Sequence, residues 1–311
     1  MSNIKNTGKI YTNMIFVSIA ALLCCALWGS ATPFIKTGYQ LILPQKNVAS
    51  TILFAGIRFT SAGILTILFY SIARRKILVP ERKNIGRISV VALFQTVIQY
   101  IFFYIGLANT SGVKGTIISG SSAFFAILIA SLLFRQEKLT VRKVAACIIG
   151  FSGIIFVNLD GLDLNMNFTG DCFVLFSAIS AAASSVIIKI YSKHEDPVVI
   201  SGYQFVMGGV FMIITGLLFG GEIIISSFKA GAVLLYLSFL SAVAYSLWGI
   251  LLKYNPVSRV SIFNFMVPVF GVLLSKLMLT ESSNVSVLNL IITIILVSTG
   301  IIMLNYKGKE K

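Results

Sequence analysis

The chain has 311 residues, of which 57% are hydrophobic and only 11% are charged, and its formal net charge is +15. Soluble domains carry about a quarter charged residues, so this composition excludes a soluble protein and makes the bilayer the solvent. A membrane-spanning helix needs about 20 apolar residues, and ten such stretches leave room for short loops but not for a soluble domain.

Ten apolar stretches predict an all-α, polytopic membrane protein of ten transmembrane helices. Backbone N–H and C=O groups in lipid must hydrogen-bond to one another, because the bilayer offers no other partners, and this favours helices. The first stretch follows Lys5 and Lys9 like a signal peptide, but it is too long for an h-region and is expected to be an uncleaved anchor. In chain order the predicted spans lie near Met14–Lys36, Ala49–Ala73, Ile88–Ala108, Gly112–Phe134, Val141–Asn158, Gly170–Tyr191, Val198–Phe219, Ala230–Leu252, Val257–Leu279 and Val287–Leu304.

The positions of the basic residues explain the net charge. A cytoplasmic N-terminus would place 19 of the 25 Lys and Arg residues on the inner side, five on the outer side and Arg58 within a span. Positive charge concentrates in cytoplasmic loops, so we predict a cytoplasmic-membrane protein with both termini in the cytoplasm. Its basic side would contact anionic lipid and not nucleic acid. The five outer residues are Lys36, Lys46, Lys114, Lys229 and Lys276.

Sequence elements recur in the same order in the two halves of the chain, at an offset of 145 to 153 residues. Each half has five predicted spans, an odd number, so the second half starts on the other side of the membrane. Such a 5+5 inverted-topology repeat is typical of secondary transporters, which rock around a central site. We expect residues 1–160 and residues 161–311 to be the two repeats. The recurring elements are Gly56-Ile57-Arg58-Phe59 with Gly202-Tyr203-Gln204-Phe205, Ile35-Lys36 with Ile188-Lys189, Tyr100 with Tyr245, and Lys114 with Arg259.

The fourth and ninth spans carry matching stripes of small or polar residues at helical spacing. Such stripes let helices approach closely or line a wet cavity. The stripes are Thr116, Ser119, Ala123, Ala126 and Ala130 in the fourth span, and Ser261, Asn264, Pro268, Gly271 and Ser275 in the ninth.

Arg58 is the only charged residue well inside a span. Ionisable residues inside the membrane are costly and mark functional sites. One interpretation is a structural ion pair or a cap on backbone carbonyls; the other is a counter-charge for a carboxylate or phosphate of the substrate. Its repeat partner, Gln204, is neutral, so a counter-charge would act from one half only.

Polar and aromatic residues of the third and eighth spans complete the predicted site. In the third span the polar side chains fall within an arc of roughly 140° around the helix, and in the eighth span within an arc of about 100°. A polar face of this kind on each helix suits a small amphiphilic solute. The glutamines could instead bond between helices, and the aromatic residues could belong to interfacial belts. Pro33 and Pro268 are candidate hinges or static bends. The candidate substrate-binding residues are Trp28, Arg58, Gln95, Gln99, Tyr100, Tyr104, Gln204, Tyr245, Trp248 and Asn264.

No Asp, Glu or His lies in the middle of a predicted span: Glu137 and Glu281 end spans, Asp171 begins one, and His194 is in a loop. Ion-coupled carriers usually place such a group in the membrane. We therefore predict weak or no coupling through a titrating side chain. The four cysteines lack metal-binding spacing, and neither a metal nor a cofactor is expected.

Several of these residues carry a family resemblance. The run Ala26–Ser30 leading to Lys36, the Arg58-Phe59 pair, Pro268-Val269-Phe270, and the span ends Glu137 and Glu281 resemble the EamA family of the drug/metabolite transporter superfamily. The resemblance implies a ten-helix basket with cytoplasmic termini and a central cavity for export or exchange of small organic solutes, such as amino acids. Two departures stand out: Ala123 replaces the family's proline in the fourth span, and Ala181 lies opposite Trp28 in the sixth.

The prediction is thus a secondary transporter that moves a small polar metabolite across the cytoplasmic membrane by alternating access. A lipid flippase is the alternative, since Arg58 could bind a phosphate headgroup. An intramembrane enzyme would need motifs that the chain lacks, and a channel would need a ring of charge or a filter loop. The expected partners are a small-molecule substrate and membrane lipid, for a monomer or weak dimer.

Overall fold

The computed structural model describes residues 9–45, 47–159, 165, 167–278 and 287–306, in which all regular structure is helical. Lys5, Lys46, Glu281, Lys307, Lys309 and Lys311 lie outside these residues. The first half forms α1 Met14–Ile42, α2 Val48–Arg74, α3 Arg82–Ala108, α4 Gly112–Leu133 and α5 Val141–Val157. The second half forms α6 Phe168–Tyr191, α7 Pro197–Leu218, α8 Phe228–Tyr254, α9 at residues 257–278, and α10 Val287–Asn305.

These ten helices confirm the all-α, ten-helix prediction. In the described part of the chain, nine of them are long and apolar enough to cross a membrane, and α5, with 17 residues, has the length of a short span. The largest differences in bounds, six residues each, are at the start of α3, which lies at Arg82 and not at Ile88, and at the end of α1, which continues past Lys36 to Ile42. Its extra turns bury Gly38 and Ile42, which offsets the cost of ordering them.

Side-chain caps fix where most of the helices begin. A polar residue before the helix accepts a hydrogen bond from a backbone N–H of the first turn, which would otherwise lack a partner. The loop sequences therefore set the helix starts locally, before any packing. The capping residues are Asn13, Asn47, Ser111, Thr140, Asn167, Asp196 and Ser227.

Three helices depart from α geometry along part of their length. α3 contains a π segment at Leu93–Ile98, α4 ends in one at Ile129–Leu133, and α9 has a 3-10 turn at Ile262–Phe265. The α9 turn has a local cause, because Pro268 lacks an N–H for the carbonyl of Asn264 and its ring crowds that carbonyl. Departures of this kind are frequent at functional sites.

The main contacts between the two halves come in pairs that are equivalent under the repeat. α2 packs on α7 and α5 on α10, so each of these contacts joins a helix to its own repeat partner. α1 packs on α8 and α9 of the second half, and α6 packs on the equivalent α3 and α4 of the first. This reciprocity, with five helices in each half, is the packing of an inverted-topology repeat.

Glycines make the α2–α7 contact possible. A Cβ on Gly63 would lie 2.5 Å from the carbonyl oxygen of Gly202, and a Cβ on Gly209 would lie 2.5 Å from the backbone nitrogen of Thr60. Both distances are below any real contact, so a side chain at either position would push the helices apart. Gly56, which recurs as Gly202 in the second half, lies in the same contact, since a Cβ on it would be 2.7 Å from the backbone nitrogen of Ile213.

The bundle is sealed at one end. We call the end where α1 begins the basic face, because it carries Arg74, Arg75 and the other residues of the basic loops, and the other end the opposite face. The largest core cluster fills the half near the basic face, joining α1, α4, α6, α8 and α9. Toward the opposite face the core divides into two smaller clusters, one between α1, α2 and α8 and one between α2, α3, α7 and α8.

Candidate functional site

Trp28 marks the centre of the bundle, because this half-buried residue packs against all three core clusters. Its ring lies edge-on to two aromatic rings of α8, with centroids 5.1 Å from Tyr245 and 5.0 Å from Trp248. α1 and α8 belong to different halves, so this aromatic group lies where the repeats meet. The sequence predicted all three residues as part of the site, and the structure brings them together.

Arg58 of α2 reaches the same region and is only 3% exposed. Its Nε donates to the carbonyl oxygen of Leu237 at 3.3 Å and to Oγ of Ser241 at 3.2 Å, and its Nη2 donates to the same Oγ at 2.9 Å. The guanidinium carbon lies 5.1 Å from the ring centroid of Phe59. Within the described residues Arg58 belongs to no salt bridge, so its charge is held by neutral groups.

Four tyrosines surround this charge. The hydroxyls of Tyr100 and Tyr245 are 2.6 Å apart and join α3 to α8. Tyr39 of α1 and Tyr104 of α3 lie near each other, and all four hydroxyls are within electrostatic reach of Arg58. The centre of the bundle therefore pairs one cation with hydroxyl groups that can donate or accept.

Aromatic rings form the wall behind these hydroxyls. The ring of Phe59 lies 4.4 Å from that of Tyr100 and stacks on Phe205 at 5.1 Å, and Phe205 lies edge-on to Tyr245 at 4.9 Å. Each distance falls in the range of favourable aromatic pairs. Together with Trp28, Arg58 and the tyrosines, these rings make up the central cluster.

Several buried polar atoms of α1, α4 and α9 have no hydrogen-bond partner in the described part of the chain. In the described structure these atoms include the indole Nε1 of Trp28, Oγ of Ser119, Oγ of Ser261 and Oδ1 of Asn264. Ser119 of α4 and Asn264 of α9 are repeat partners on the predicted small-residue stripes. Buried polar atoms almost always find partners, so each of these atoms favours a bound polar molecule or water beside it.

Among the described hydrogen bonds and ring contacts, none joins the other predicted residues to the central cluster. Gln204 is fully buried and its Oε1 accepts a 2.6 Å hydrogen bond from Thr96, so it ties α7 to α3 and does not mirror Arg58. Gln95 is buried with Oε1 unpartnered, and Gln99 is half-buried. Pro33 is buried within a continuous α1, and Pro268 follows the 3-10 turn of α9.

Sequence reasoning missed Tyr39, because the predicted first span ended at Lys36. The signal was present, since eleven residues make about three turns of helix and put Tyr39 on the face of Trp28. It also missed Phe59 and Phe205 as site walls, although both lie in the repeated Gly-x-x-Phe elements.

The seal at the basic face consists of hydrogen bonds as well as apolar packing. Nζ of Lys189, near the end of α6, donates to the carbonyl oxygens of Leu252 at 3.1 Å and Asn255 at 2.5 Å, where α8 ends. Glu137 accepts hydrogen bonds from the backbone N–H of Ser258 at 3.0 Å and from its hydroxyl, and pairs with Lys143 at 2.7 Å. Burial alone would raise the pKa of Glu137, but the bonds from Lys143 and Ser258 hold that pKa below its usual value.

Comparison with known proteins places this architecture in a family. Residues 15–159 and residues 168–306 match the EamA-like transporter family. A WAT1-related chloroplast protein of Arabidopsis thaliana is 26% identical over 82% of this chain, which spans 62% of that relative's length. An uncharacterized transporter of Archaeoglobus fulgidus is 24% identical over 85% of this chain and 90% of its own length. The uncharacterized transporter YvbV of Bacillus subtilis is 26% identical over 92% of this chain and 90% of its own length.

A solved crystal structure has the same fold. It covers 94% of this chain and 99% of its own length with a TM-score of 0.74, at 15% sequence identity. The family matches account for both halves of the chain and describe transporters, not enzymes. This multi-pass membrane protein therefore belongs to the EamA-like transporter family of the drug/metabolite transporter superfamily.

Proposed function

We propose that the protein is a secondary transporter that moves a small polar metabolite carrying an acidic group, such as an amino acid or a related solute, by alternating access. The observation that carries this proposal is the buried charge of Arg58, which has no acidic partner among the described residues. A buried charge without a counter-charge is expensive. A carboxylate on the solute would supply that counter-charge while the solute is bound.

The geometry of Arg58 leaves room for such a partner. Its hydrogen bonds to Leu237 and Ser241 use Nε and Nη2, which leaves Nη1 for a further acceptor. Arginine presents its donors in a fork that matches a carboxylate. The Leu237 and Ser241 bonds would orient the guanidinium, so the capping interpretation and the counter-charge interpretation of Arg58 are compatible.

The rest of the central cluster suits the rest of such a solute. Hydroxyls of Tyr100 and Tyr245 would meet polar groups, and the rings of Trp28 and Trp248 would cover an apolar body. The unpartnered atoms of Ser119 and Asn264 would serve a second polar group, such as an amine.

The charge distribution supports an orientation with both termini in the cytoplasm. The basic face is then cytoplasmic, and the sealed seam at that face belongs to a state open toward the outside. Our proposal for this orientation is export or exchange across the cytoplasmic membrane, with the gradient of the solute itself as the driving force.

The flippase alternative has less support. A lipid would enter sideways, past the small-residue stripes of α4 and α9, yet Ala123, Ala126 and Ala130 are buried in the core. Solute entry through an aqueous face fits this packing better.

Reconstitution into liposomes with a panel of labelled amino acids, nucleosides and polyamines tests the proposal. We expect exchange of at least one carboxylate-bearing solute in wild type, and at least a tenfold slower exchange in Arg58→Gln, because a charged hydrogen bond contributes roughly 1.5–3 kcal/mol. Lys229→Gln, which removes an exposed cation, is the matched control. Undiminished exchange by folded Arg58→Gln would remove Arg58 from the site, and scrambling of labelled lipid without solute exchange would favour the flippase.

A further inference from the structure

The corner between α4 and α5, at the basic face, contains a cavity that is separate from the central cluster. Its volume is about 650 Å³, and it is open to the outside of the bundle. The last turn of α4 and the connecting loop line it, with residues between Ser131 and Leu139. Because a membrane-spanning helix ends here, a molecule bound in this cavity would meet both lipid and water.

Two cations of the lining, Arg135 and Lys138, are exposed. Neither forms a salt bridge within the described residues. The carboxylate of the lining, Glu137, is already neutralised, because it pairs with Lys143 at 2.7 Å and accepts hydrogen bonds from Ser258. The lining therefore presents two positive charges that no negative charge offsets, which favours an anionic ligand.

Arg75 provides a reference for Arg135. Both are exposed at the basic face, and each follows the last turn of a helix with a left-handed backbone, at φ of 50° for Arg75 and 48° for Arg135. A cation at a helix C-terminus interacts favourably with the helix dipole, so this property needs no ligand and is common to the two residues. Of the two, Arg135 lines the cavity and Arg75 does not. A difference between them in binding would therefore report the cavity and not the helix end.

Three buried polar atoms of the lining have no hydrogen-bond partner in the described part of the chain. They are Oγ of Ser131, a residue that is only 7% exposed, and both Oε1 and Nε2 of Gln136. Buried polar atoms almost always find partners. These three comprise a donor, an acceptor and a hydroxyl that can do either, so a ligand with hydroxyl groups beside its charge would supply both kinds of partner.

Exposed apolar side chains lie in the lining and beside it in the chain. Leu132 and Leu139 line the cavity, and Leu132 is 60% exposed. Their neighbours Leu133 and Val141 are 73% and 87% exposed. A free phosphate would gain nothing from these side chains, whereas acyl chains would remove them from water. The combination of cations, polar atoms and apolar side chains therefore matches a lipid better than a free anion.

We propose that this cavity binds an anionic phospholipid with a hydroxylated headgroup, such as phosphatidylglycerol. Arg135 and Lys138 would bind the phosphodiester. Ser131 and Gln136 would bind hydroxyls of the headgroup, and Leu132 would contact the start of the acyl chains. Basic pockets at the membrane surface recognise anionic lipids through contacts of this kind. The inference does not depend on which solute the central cluster binds.

A lipid in this site would restrain the seal of the basic face. Glu137 lies in the chain between the two cations, and its hydrogen bonds from Ser258 hold the loop to the start of α9. A ligand that restrains Arg135 and Lys138 would therefore also restrain the connection between α4 and α9. Because a ligand that binds the folded state raises the unfolding temperature, lipid binding has a readout that is independent of transport.

Thermal unfolding of the purified protein in a neutral detergent tests the proposal. Titration with phosphatidylglycerol should raise the unfolding temperature to a plateau, whereas phosphatidylcholine with the same acyl chains, or inorganic phosphate, should not do so at the same concentrations. Arg135→Gln and Lys138→Gln should each raise the phosphatidylglycerol concentration at half-maximal shift about fivefold, as expected for the loss of one basic residue at an anionic lipid. Arg75→Gln should leave that concentration unchanged, and Lys138→Arg, which keeps the charge, should bind like wild type.

Each contrary result overturns the proposal in a different way. Equal stabilisation by phosphatidylcholine would mean that apolar contact alone binds lipid, and equal stabilisation by inorganic phosphate would mean a site for a free anion. An equal loss of binding in Arg75→Gln would assign the effect to the charge of the whole basic face. The absence of a saturable shift with phosphatidylglycerol would remove the site altogether. The unfolding temperature of each variant without lipid checks that it is folded.

Discussion

Ser241 is the residue that places Arg58. Its Oγ accepts from Nε and Nη2 of the guanidinium and donates to the Leu237 carbonyl at 2.8 Å. We expect Ser241→Ala to lower solute affinity several-fold and to destabilise the protein by about 1–3 kcal/mol, because it leaves donors of a buried cation without their acceptor. Exchange kinetics and thermal unfolding in detergent measure the two effects.

The matched control is one turn earlier on the same helix. Ser238 is equally buried, but its hydroxyl bonds only the carbonyl of Leu234 in its own helix. Ser238→Ala should therefore keep the affinity of the wild type. Equal loss of affinity in both variants would mean that packing on α8, and not the position of Arg58, sets the affinity.

At the residue scale, the sequence predicted which side chains come together better than it predicted which partner each side chain bonds. Trp28, Arg58, Tyr100, Tyr104, Tyr245 and Trp248 were candidates and come together, because polar groups in a membrane helix have few alternatives to the interior. The repeat alignment equated Gln204 with Arg58, yet Gln204 bonds Thr96. An alignment gives the position along the helix, but the bonding partner depends on helices elsewhere in the chain.

Among the elements, the loop between α4 and α5 fastens the basic face through Glu137. The pKa of Glu137 is lower in the folded protein than its usual value of about 4.3. Its contribution to stability is therefore complete above that value and is lost as the pH falls through the folded pKa. We expect the unfolding temperature of wild type in detergent to drop as the pH falls below about 4.3, and that of Glu137→Gln to be lower at neutral pH and to depend less on acid.

Glu81 supplies the comparison for this prediction. Its pKa is also lowered, through a hydrogen bond from Lys83, but both side chains are exposed. Surface ion pairs contribute little, so Glu81→Gln should keep the acid sensitivity of the wild type. A Glu137→Gln protein that still loses stability like the wild type would place the acid-sensitive group elsewhere.

Element boundaries and irregularities mark the limit of what the sequence predicted. Nine helix starts were predicted within two residues, because capping residues such as Asn47 and Asp196 act locally, but α3 begins six residues before its predicted start and has no side-chain cap there. The 3-10 turn before Pro268 could have been predicted from the sequence, because proline lacks the N–H that an α-helix needs at that position. The π segment at Leu93–Ile98 has none that we identify, and neither has the one that ends α4.

For the whole molecule, the sequence predicted the ten helices and the repeat but not which face is sealed. An inverted repeat supplies the same pattern to both faces, with Lys36 in one half and Lys189 in the other. Which of the two faces is sealed depends on small differences in free energy summed over many residues. One such difference is between Thr32 of α1, which is exposed, and its repeat partner Ser185 of α6, which is buried. A pattern of residue types does not resolve such a difference.

The kinds of ionisable group at the centre are a property of the described helices taken together. In the described residues the ionisable groups of the central cluster are Arg58 and the four tyrosines, and neither of these residue types is the kind that changes charge near neutral pH, as histidine does. Asp171 lies in the first turn of α6 and is held by Thr110, Lys114 and the backbone N–H of Asn167. A pH gradient therefore has no group at the central cluster through which to drive the solute.

We accordingly expect an imposed pH gradient of two units, at equal solute concentration on both sides of the liposome, to cause no net accumulation of solute. Solute counterflow at uniform pH should proceed at full rate, because it needs only the alternation between a state sealed at the basic face and a state sealed at the opposite face. The solute chosen should keep one charge state across the gradient, so that its own titration does not imitate coupling. Accumulation that follows the pH gradient and collapses with a protonophore would place a proton site in this protein, with Asp171 the first residue to replace.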